Sequence, residues 1–236
     1  MKIEIWSDIA CPWCWIGKRR FEHALSQFEQ RDEVEVVWRS YELDPKAPRQ
    51  HGVPQAELLA RKYGMSVEQT RAMTDRVAGE GRKEGIAFDF ERVQSGNTFD
   101  AHRLIHLAAR SGLRDEMVER LYRAYFADGE ALGDVETLVR IAAELGLDAD
   151  EARAMLESDA LADDVRADEE RARSLGITGV PFFAIDERYG ISGAQPPLAL
   201  LEALRRAWRE QAPASSAADS DGDDAADACA DGACAI

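Results

Sequence analysis

Apolar and polar residues alternate over Ile3-Glu4-Ile5-Trp6 and then change period, with Trp15-Ile16, Phe21, Leu25 and Phe28 recurring at three- and four-residue spacing. Period two marks a strand and period 3.6 an amphipathic helix. The pattern predicts a strand over 3–7, a helix from 12 to about 29 and a second strand over 34–39. Asp44-Pro45-Lys46-Ala47-Pro48 then breaks it, because two close prolines forbid continued strand or helix. From 54 to about 176 the reading is almost wholly helical. Leu58, Leu59, Met65, Val67, Met73 and Val77 come first, then a looser stretch over 79–96. Two stronger helices follow, carrying Leu104, Ile105, Leu107 and Ala108, then Met117, Val118, Leu121, Tyr122, Tyr125 and Phe126, with Gly112 between them. Ser66 with Gln69 reads as a capping box, and Asp134 as the cap of a helix through Leu138, Ile141 and Leu145. Asp148, and Ser158 or Asp159, start two more. The segments Phe182–Ile185 and Tyr189–Ser192 flank a short turn as a hairpin does, and a last helix runs from 196 to about 209. The class is α/β.

At the first strand-to-helix junction stands Cys11-Pro12-Trp13-Cys14. Only a thiolate attacks a disulfide. The unpaired N–H groups of a helix's first turn, and the positive end of its dipole, favour negative charge on Cys11. Pro12 suits the first helical position. Cys14, one turn in, is expected to be more buried and placed to attack Cys11 in a mixed disulfide. Trp13 adds apolar surface and no charge. The C-x-x-C spacing also suits zinc, with Cys229 and Cys234 as the chain's further cysteines. The helix that follows the pair directly favours redox chemistry and no metal. Far along the chain, Gly179-Val180-Pro181-Phe182-Phe183 reads as a tight loop entering a buried strand. X-Pro bonds are the ones that populate cis cheaply. A cis Pro181 would bring the Val180 backbone beside the cysteines as an edge for an extended substrate. Cys11 and Cys14 are thus the candidate catalytic residues, and Pro12, Trp13, Val180 and Pro181 the candidate substrate-binding ones.

The run from Ser7 to Trp15, the stretch Asn97-Thr98-Phe99-Asp100-Ala101-His102-Arg103, Gly179 to Phe183, and Ile191-Ser192-Gly193-Ala194-Gln195-Pro196 together resemble the FrnE-type branch of the DsbA family, over roughly 2–210. The resemblance implies a thioredoxin-like fold with an inserted all-helical domain. It implies thiol-disulfide oxidoreductase activity, with Cys11 as nucleophile and Cys14 as resolving thiol, and a cis Val180-Pro181 bond. The thioredoxin-like unit would be discontinuous, 1–46 and 177–211, around an insertion at 47–176. Asn97, Thr98 and His102 would line the cleft facing Cys11. Hydroxychromene-carboxylate isomerases and kappa-class glutathione transferases are similar in layout but usually carry serine in place of Cys11 and lack the second cysteine. A glutathione-dependent isomerase or transferase is therefore the rival function, and a chaperone-like binding module a second.

His102 and His106 share one helix face, yet no third ligand or H-E-x-x-H pattern accompanies them. Gly193-Ala194-Gln195 precedes a helix whose N–H groups suit a carboxylate such as that of glutathione. The expected substrates are disulfide-containing proteins or peptides, with thioredoxin, glutathione or another small thiol as redox partner and no bound cofactor. The net charge of −16 argues against nucleic acid, and no apolar run is long enough for a membrane span. With functional residues beginning directly after Lys2, a cytoplasmic protein is expected, working as reductase or isomerase on aberrant disulfides, as under oxidative stress. Much of the acidity falls in 212–236, rich in Ala, Asp, Ser and Gly, which reads as a flexible tail. It contains Cys229-Ala230-Asp231-Gly232-Ala233-Cys234, a candidate auxiliary redox pair.

Overall fold

The computed structural model describes residues 1–211. The chain opens with strand β1 (Lys2–Ser7), helix α1 (Pro12–Ser26) and strand β2 (Glu35–Ser40). It passes through α2 (Gln55–Tyr63), α3 (Val67–Lys83), α4 (Phe99–Arg110), α5 (Arg114–Arg123), α6 (Val135–Glu144), α7 (Ala149–Leu156) and α8 (Ala162–Ser174). It closes with the hairpin β3 (Phe182–Ile185) and β4 (Tyr189–Ser192) and helix α9 (Pro197–Gln211). The sheet order is β2-β1-β3-β4, with β1 and β2 parallel and β3 and β4 antiparallel. This is the predicted thioredoxin-like sheet, and the helices between β2 and β3 are the predicted insertion.

The alternation in β1 divides its side chains between two covered faces. Ile3 and Ile5 join the main core, to which α1 and α9 contribute Ile16, Phe21, Leu200 and Leu204. Trp6 points the other way, into a smaller cluster with Ala172, Ile177 and Ala184, and its indole N–H donates to the Asp168 carbonyl of α8 at 2.9 Å. Glu4 lies on that second face and is buried. Its carboxylate accepts from Arg39 at 2.9 Å and from Arg171 at 2.6 Å, so two guanidinium groups replace the water it gives up. The main cluster continues without a break into α4, α5 and α6.

The capping box at Ser66 and Gln69 forms as read, as do the Asp134 and Asp148 caps. Three helix ends differ. α1 stops at Ser26, where the amides of Gln27 and Phe28 turn back onto the carbonyls of Ala24 and Leu25 and the Phe28 ring meets Trp208 edge-on. α3 runs through Gly79 and Gly81 to Lys83, although 79 onward was expected to be loose. A side chain at 81 would collide with the Phe88 ring, so this glycine serves packing. α8 starts at Ala162, capped by Leu161 at φ 63°, whereas the Ser158 hydroxyl serves a local turn by accepting from the Ala160 amide.

Candidate active site

Cys11 is the N-cap residue of α1, with Pro12 in the first turn and no acidic residue there to oppose a thiolate. The amide of Cys11 donates to the Asp8 carbonyl at 3.1 Å, which closes the turn leaving β1. Cys11 is 5 % exposed, and its sulfur stands 3.6 Å from the Val180 carbonyl oxygen. Cys14, one turn on, is 0 % exposed. Both are free thiols. Burial pushes the Cys14 thiol well up, and its hydrogen bond to Cys11 and the charge there add to the rise. Cys14 therefore stays protonated at rest.

The Val180–Pro181 peptide is cis. Its loop rests directly on α1: a Cβ added at Gly17 would lie 2.9 Å from Pro181 Cγ. The Gly193 amide donates to the Pro181 carbonyl at 2.8 Å, tying the end of the hairpin to its beginning. Arg20, a turn beyond Gly17, donates to the Ala194 carbonyl at 2.7 Å and reaches Glu84 at 2.7 Å and Glu80 at 3.0 Å. One guanidinium thus joins α1, the loop before α9, and the end of α3. The Gly193-Ala194-Gln195 turn is held to α1 in this way, and α9 itself begins at Pro197.

Behind the cysteines lies a buried carboxylate. Asp8 Oδ1 accepts from the Thr98 hydroxyl at 2.8 Å and the Ala10 amide at 3.2 Å, and Oδ2 from the Leu43 amide at 2.7 Å. His102 Nε2 is 3.5 Å from Oδ1. Burial alone would raise the Asp8 carboxyl, but His102, the Leu43 amide and Thr98 together hold it below the usual carboxylate range.

A cavity of about 1070 Å³ opens beside Cys11, between the motif and the α2–α3 pair. Pro12 and Trp13 border it on one side, and Leu58, Met65, Met73 and Phe90 on the other. Trp13 is 38 % exposed at its edge. Of the three residues expected to line the cleft, Thr98 borders this cavity. Asn97 instead turns the chain into α4, its Oδ1 accepting from the Phe99 amide at 2.8 Å and its amide group donating to Glu42 at 3.1 Å. His102 sits behind Asp8, 1 % exposed. His106, one turn on, is 3.1 Å from Ser40 Oγ and 3.2 Å from Asp168 Oδ2. Each histidine of the pair therefore faces its own carboxylate. Among the described residues no cluster of three or more His, Cys, Asp or Glu side chains has metal-binding geometry. Cys229 and Cys234 lie outside the described residues.

The sequence reading passed over Asp8, Gly17 and Arg20. Asp8 carried a signal, as a carboxylate three residues before a cysteine pair inside an otherwise apolar turn. Gly17 and Arg20 carried none, since their partners are Pro181 and Ala194.

A family model for the DSBA-like thioredoxin domain matches residues 2–205. The chain belongs to the DsbA-like thioredoxin family. Within it, the chain is similar to a protein of Streptomyces coelicolor described as a probable DsbA oxidoreductase, with 48 % identity, 92 % of this chain and 94 % of that one covered, and a TM-score of 0.87. It is 28 % identical over 187 residues to YwbO of Bacillus subtilis strain 168, covering 78 % of this chain and 86 % of the relative. The cytosolic disulfide reductase DsbM of Pseudomonas aeruginosa, in a structure with glutathione, shares the DsbA-like fold at 18 % identity and a TM-score of 0.60, covering 89 % of this chain and 100 % of that one. No helix among the described residues is long and apolar enough to cross a membrane.

Proposed function

We propose that this DsbA-like protein is a thiol-disulfide oxidoreductase that works through Cys11 and Cys14. The observation that carries the reading is the meeting of Cys11 Sγ with the Val180 carbonyl, 3.6 Å away at the cis Val180–Pro181 peptide, over a fully buried Cys14. In the reducing direction the Cys11 thiolate attacks a substrate disulfide, forming a mixed disulfide and releasing one substrate thiolate, which takes up a proton. Cys14 then loses its proton and attacks Cys11 Sγ. The bond from Cys11 to substrate breaks, the Cys11–Cys14 disulfide forms, and the second substrate thiol leaves. Two electrons pass to the substrate, and thioredoxin or a small thiol such as glutathione returns them.

Disulfide-bearing proteins or peptides are the proposed substrates, their chain lying along Val180 and an apolar neighbour in the cavity beside Trp13. A cytoplasmic reductase or isomerase of the FrnE branch fits this chemistry, and DsbM, a fold relative, is a cytosolic disulfide reductase. The tail cysteines Cys229 and Cys234 serve, in this reading, as a second pair that exchanges with Cys11. Assay of insulin reduction and of scrambled-disulfide isomerisation tests it. Cys11→Ser should abolish both, and Cys14→Ser should accumulate a mixed disulfide on Cys11. Disulfide exchange that persists in Cys11→Ser would sink the reading. A Cys11–Cys229 or Cys11–Cys234 adduct in Cys14→Ser would support the tail's role, and unchanged kinetics after truncation at 212 would remove it.

A further inference from the structure

We infer that Gln55 is a specificity-determining residue: its carboxamide takes a main-chain amide of a polypeptide substrate whose apolar side chain, close to the disulfide, fills the cavity beside Cys11. The inference deepens the disulfide-exchange reading and rests on it.

Two helix faces build the cavity wall. Gln55, Leu58, Leu59 and Lys62 border it from α2 at the spacing of a single face, and Met73 and Val77 border it from α3. Leu58, Leu59, Met65 and Met73 belong to neither hydrophobic core cluster, so the cavity is what their apolar surface faces. At the mouth the apolar surface continues over Trp13, Leu43 and Tyr63, all exposed. Cys11 borders the same space, so a chain whose sulfur joins Cys11 brings its neighbouring residues to these walls. The volume, about 1070 Å³, is at the top of the range that small-ligand pockets span, enough for a side chain together with its main chain.

Gln55 is the exception in this wall. It is 9 % exposed and begins α2 directly after Pro54. No protein group donates to its Oε1. Among the described residues, buried polar side-chain atoms without a hydrogen-bond partner occur on Gln55, His102 and Tyr122, and of these residues Gln55 alone borders the cavity. Its polar neighbours on the wall are engaged. Asp8 accepts from Thr98 and two amides, Thr74 donates to the carbonyls of Thr70 and Arg71, and Glu80 pairs with Arg20 and Lys83. Native proteins hold few buried polar groups without a partner. With the oxygen and nitrogen of the carboxamide exchanged, the buried atom is a donor with the same need.

The wall therefore asks for apolar surface and one polar partner together. An apolar side chain that enters the cavity brings its own peptide N–H and C=O, which leave water and must be paired. A carboxamide holds an acceptor and a donor in the plane of a peptide unit and serves either group. A wholly apolar molecule would fill the wall but leave Gln55 unpaired. A wholly polar one would pair Gln55 but leave Leu58, Leu59, Met65 and Met73 uncovered. An apolar residue in a polypeptide meets both needs.

Reduction of matched peptide disulfides by the full chain tests this through kcat/KM. In the wild-type protein, alanine in place of a leucine next to the substrate cysteine should cost about tenfold or more. N-methylation of successive peptide amides near the disulfide should find one whose loss also costs about tenfold. Because N-methylation alters the peptide's own conformation, Gln55→Leu supplies the control: there the same methylation should cost about twofold or less, with the leucine preference retained. An unchanged methylation penalty in folded Gln55→Leu overturns the inference. Equal kcat/KM for the leucine and alanine peptides, or wild-type indifference to methylation at every amide, does the same. Should Gln55→Leu not fold, the Gln55 side-chain amide resonance decides, read in Cys14→Ser carrying the peptide as a mixed disulfide on Cys11. It should move with the parent peptide and not with the methylated one, and equal movement overturns the inference. A wild-type protein that reduces neither these peptides nor hydroxyethyl disulfide is a different failure, that of the disulfide-exchange reading itself.

Discussion

A methyl group at residue 17 measures how closely the loop carrying Pro181 rests on α1. Gly17→Ala would place a carbon 2.9 Å from Pro181 Cγ, so the helix and the loop must move apart. Overpacking of this kind costs about 1–3 kcal/mol, and here it bears on the contact between Cys11 and the Val180 carbonyl that precedes Pro181. Reductase turnover should therefore drop by more than the loss of stability in urea explains, and full activity would show that the loop's position is unimportant. Tyr122 offers the converse case. Its hydroxyl is buried without a directed partner while its ring stacks on Trp15 at 6.0 Å between centroids. Tyr122→Phe keeps the ring and removes the unsatisfied group, so thermal unfolding should show a stability equal to wild type or higher by up to about 1 kcal/mol. A clear loss would mean the hydroxyl has a partner after all. At this scale the sequence showed the residues whose chemistry is local, Cys11, Cys14 and Pro181. It hid Gly17 and Asp8, whose importance is created by neighbours brought in from far along the chain.

Among the elements, α1 is anchored through buried charge. Its buried Lys18 reaches Glu22, Asp115 at 3.1 Å and Glu119 at 3.5 Å. The indole N–H groups of Trp15 and Trp38 donate to the carboxylates of Glu119 and Asp115 at 3.2 and 3.0 Å. Two carboxylates of α5 thus fix the helix that carries both cysteines. Asp115 is largely exposed, so in Lys18→Met it recovers water, and the loss should be about 1–2 kcal/mol, below the 3–5 typical of breaking a fully buried pair. Chemical denaturation of the variant checks this. Helix existence was legible from periodicity throughout the insertion, and caps were legible where Ser66, Asp134 and Asp148 supply the oxygen. Helix ends were not legible where tertiary contacts decide them. Phe88 packs on Gly81 in the last turn of α3, and Leu161 starts α8 with a backbone that no side-chain pattern announces.

For the whole molecule, buried carboxylates set the response to acid. Burial would raise Glu4, Asp8 and Asp168, yet their partners hold all three low: Arg171 and Arg39 for Glu4, His102 and the Leu43 amide for Asp8, and His106, the Ser40 amide and Arg39 for Asp168. The unfolded chain therefore binds protons at higher pH than the folded one. This stability is present above the ordinary carboxylate range and is lost as pH falls through the lowered folded values. Glu42, raised chiefly by burial, works in the opposite sense but alone. Melting temperature should fall steeply below about pH 4, and Asp168→Asn should flatten that fall. The α/β class and the inserted helices were readable in the sequence because the period changes where the chain passes from sheet to insertion. The cavity was not, since it exists only where α2 and α3 fold back toward Trp13.

The central claim is that Cys11 and Cys14 form one two-electron redox centre. Equilibration of the full chain across a series of thiol buffers, with the cysteines mapped by mass spectrometry, tests it most directly. The account predicts a single reversible transition in which Cys11 and Cys14 become linked to each other, and which vanishes in Cys11→Ser. A protein whose Cys11 and Cys14 never join under any oxidising buffer, or whose thiols stay protected by stoichiometric zinc, would contradict it.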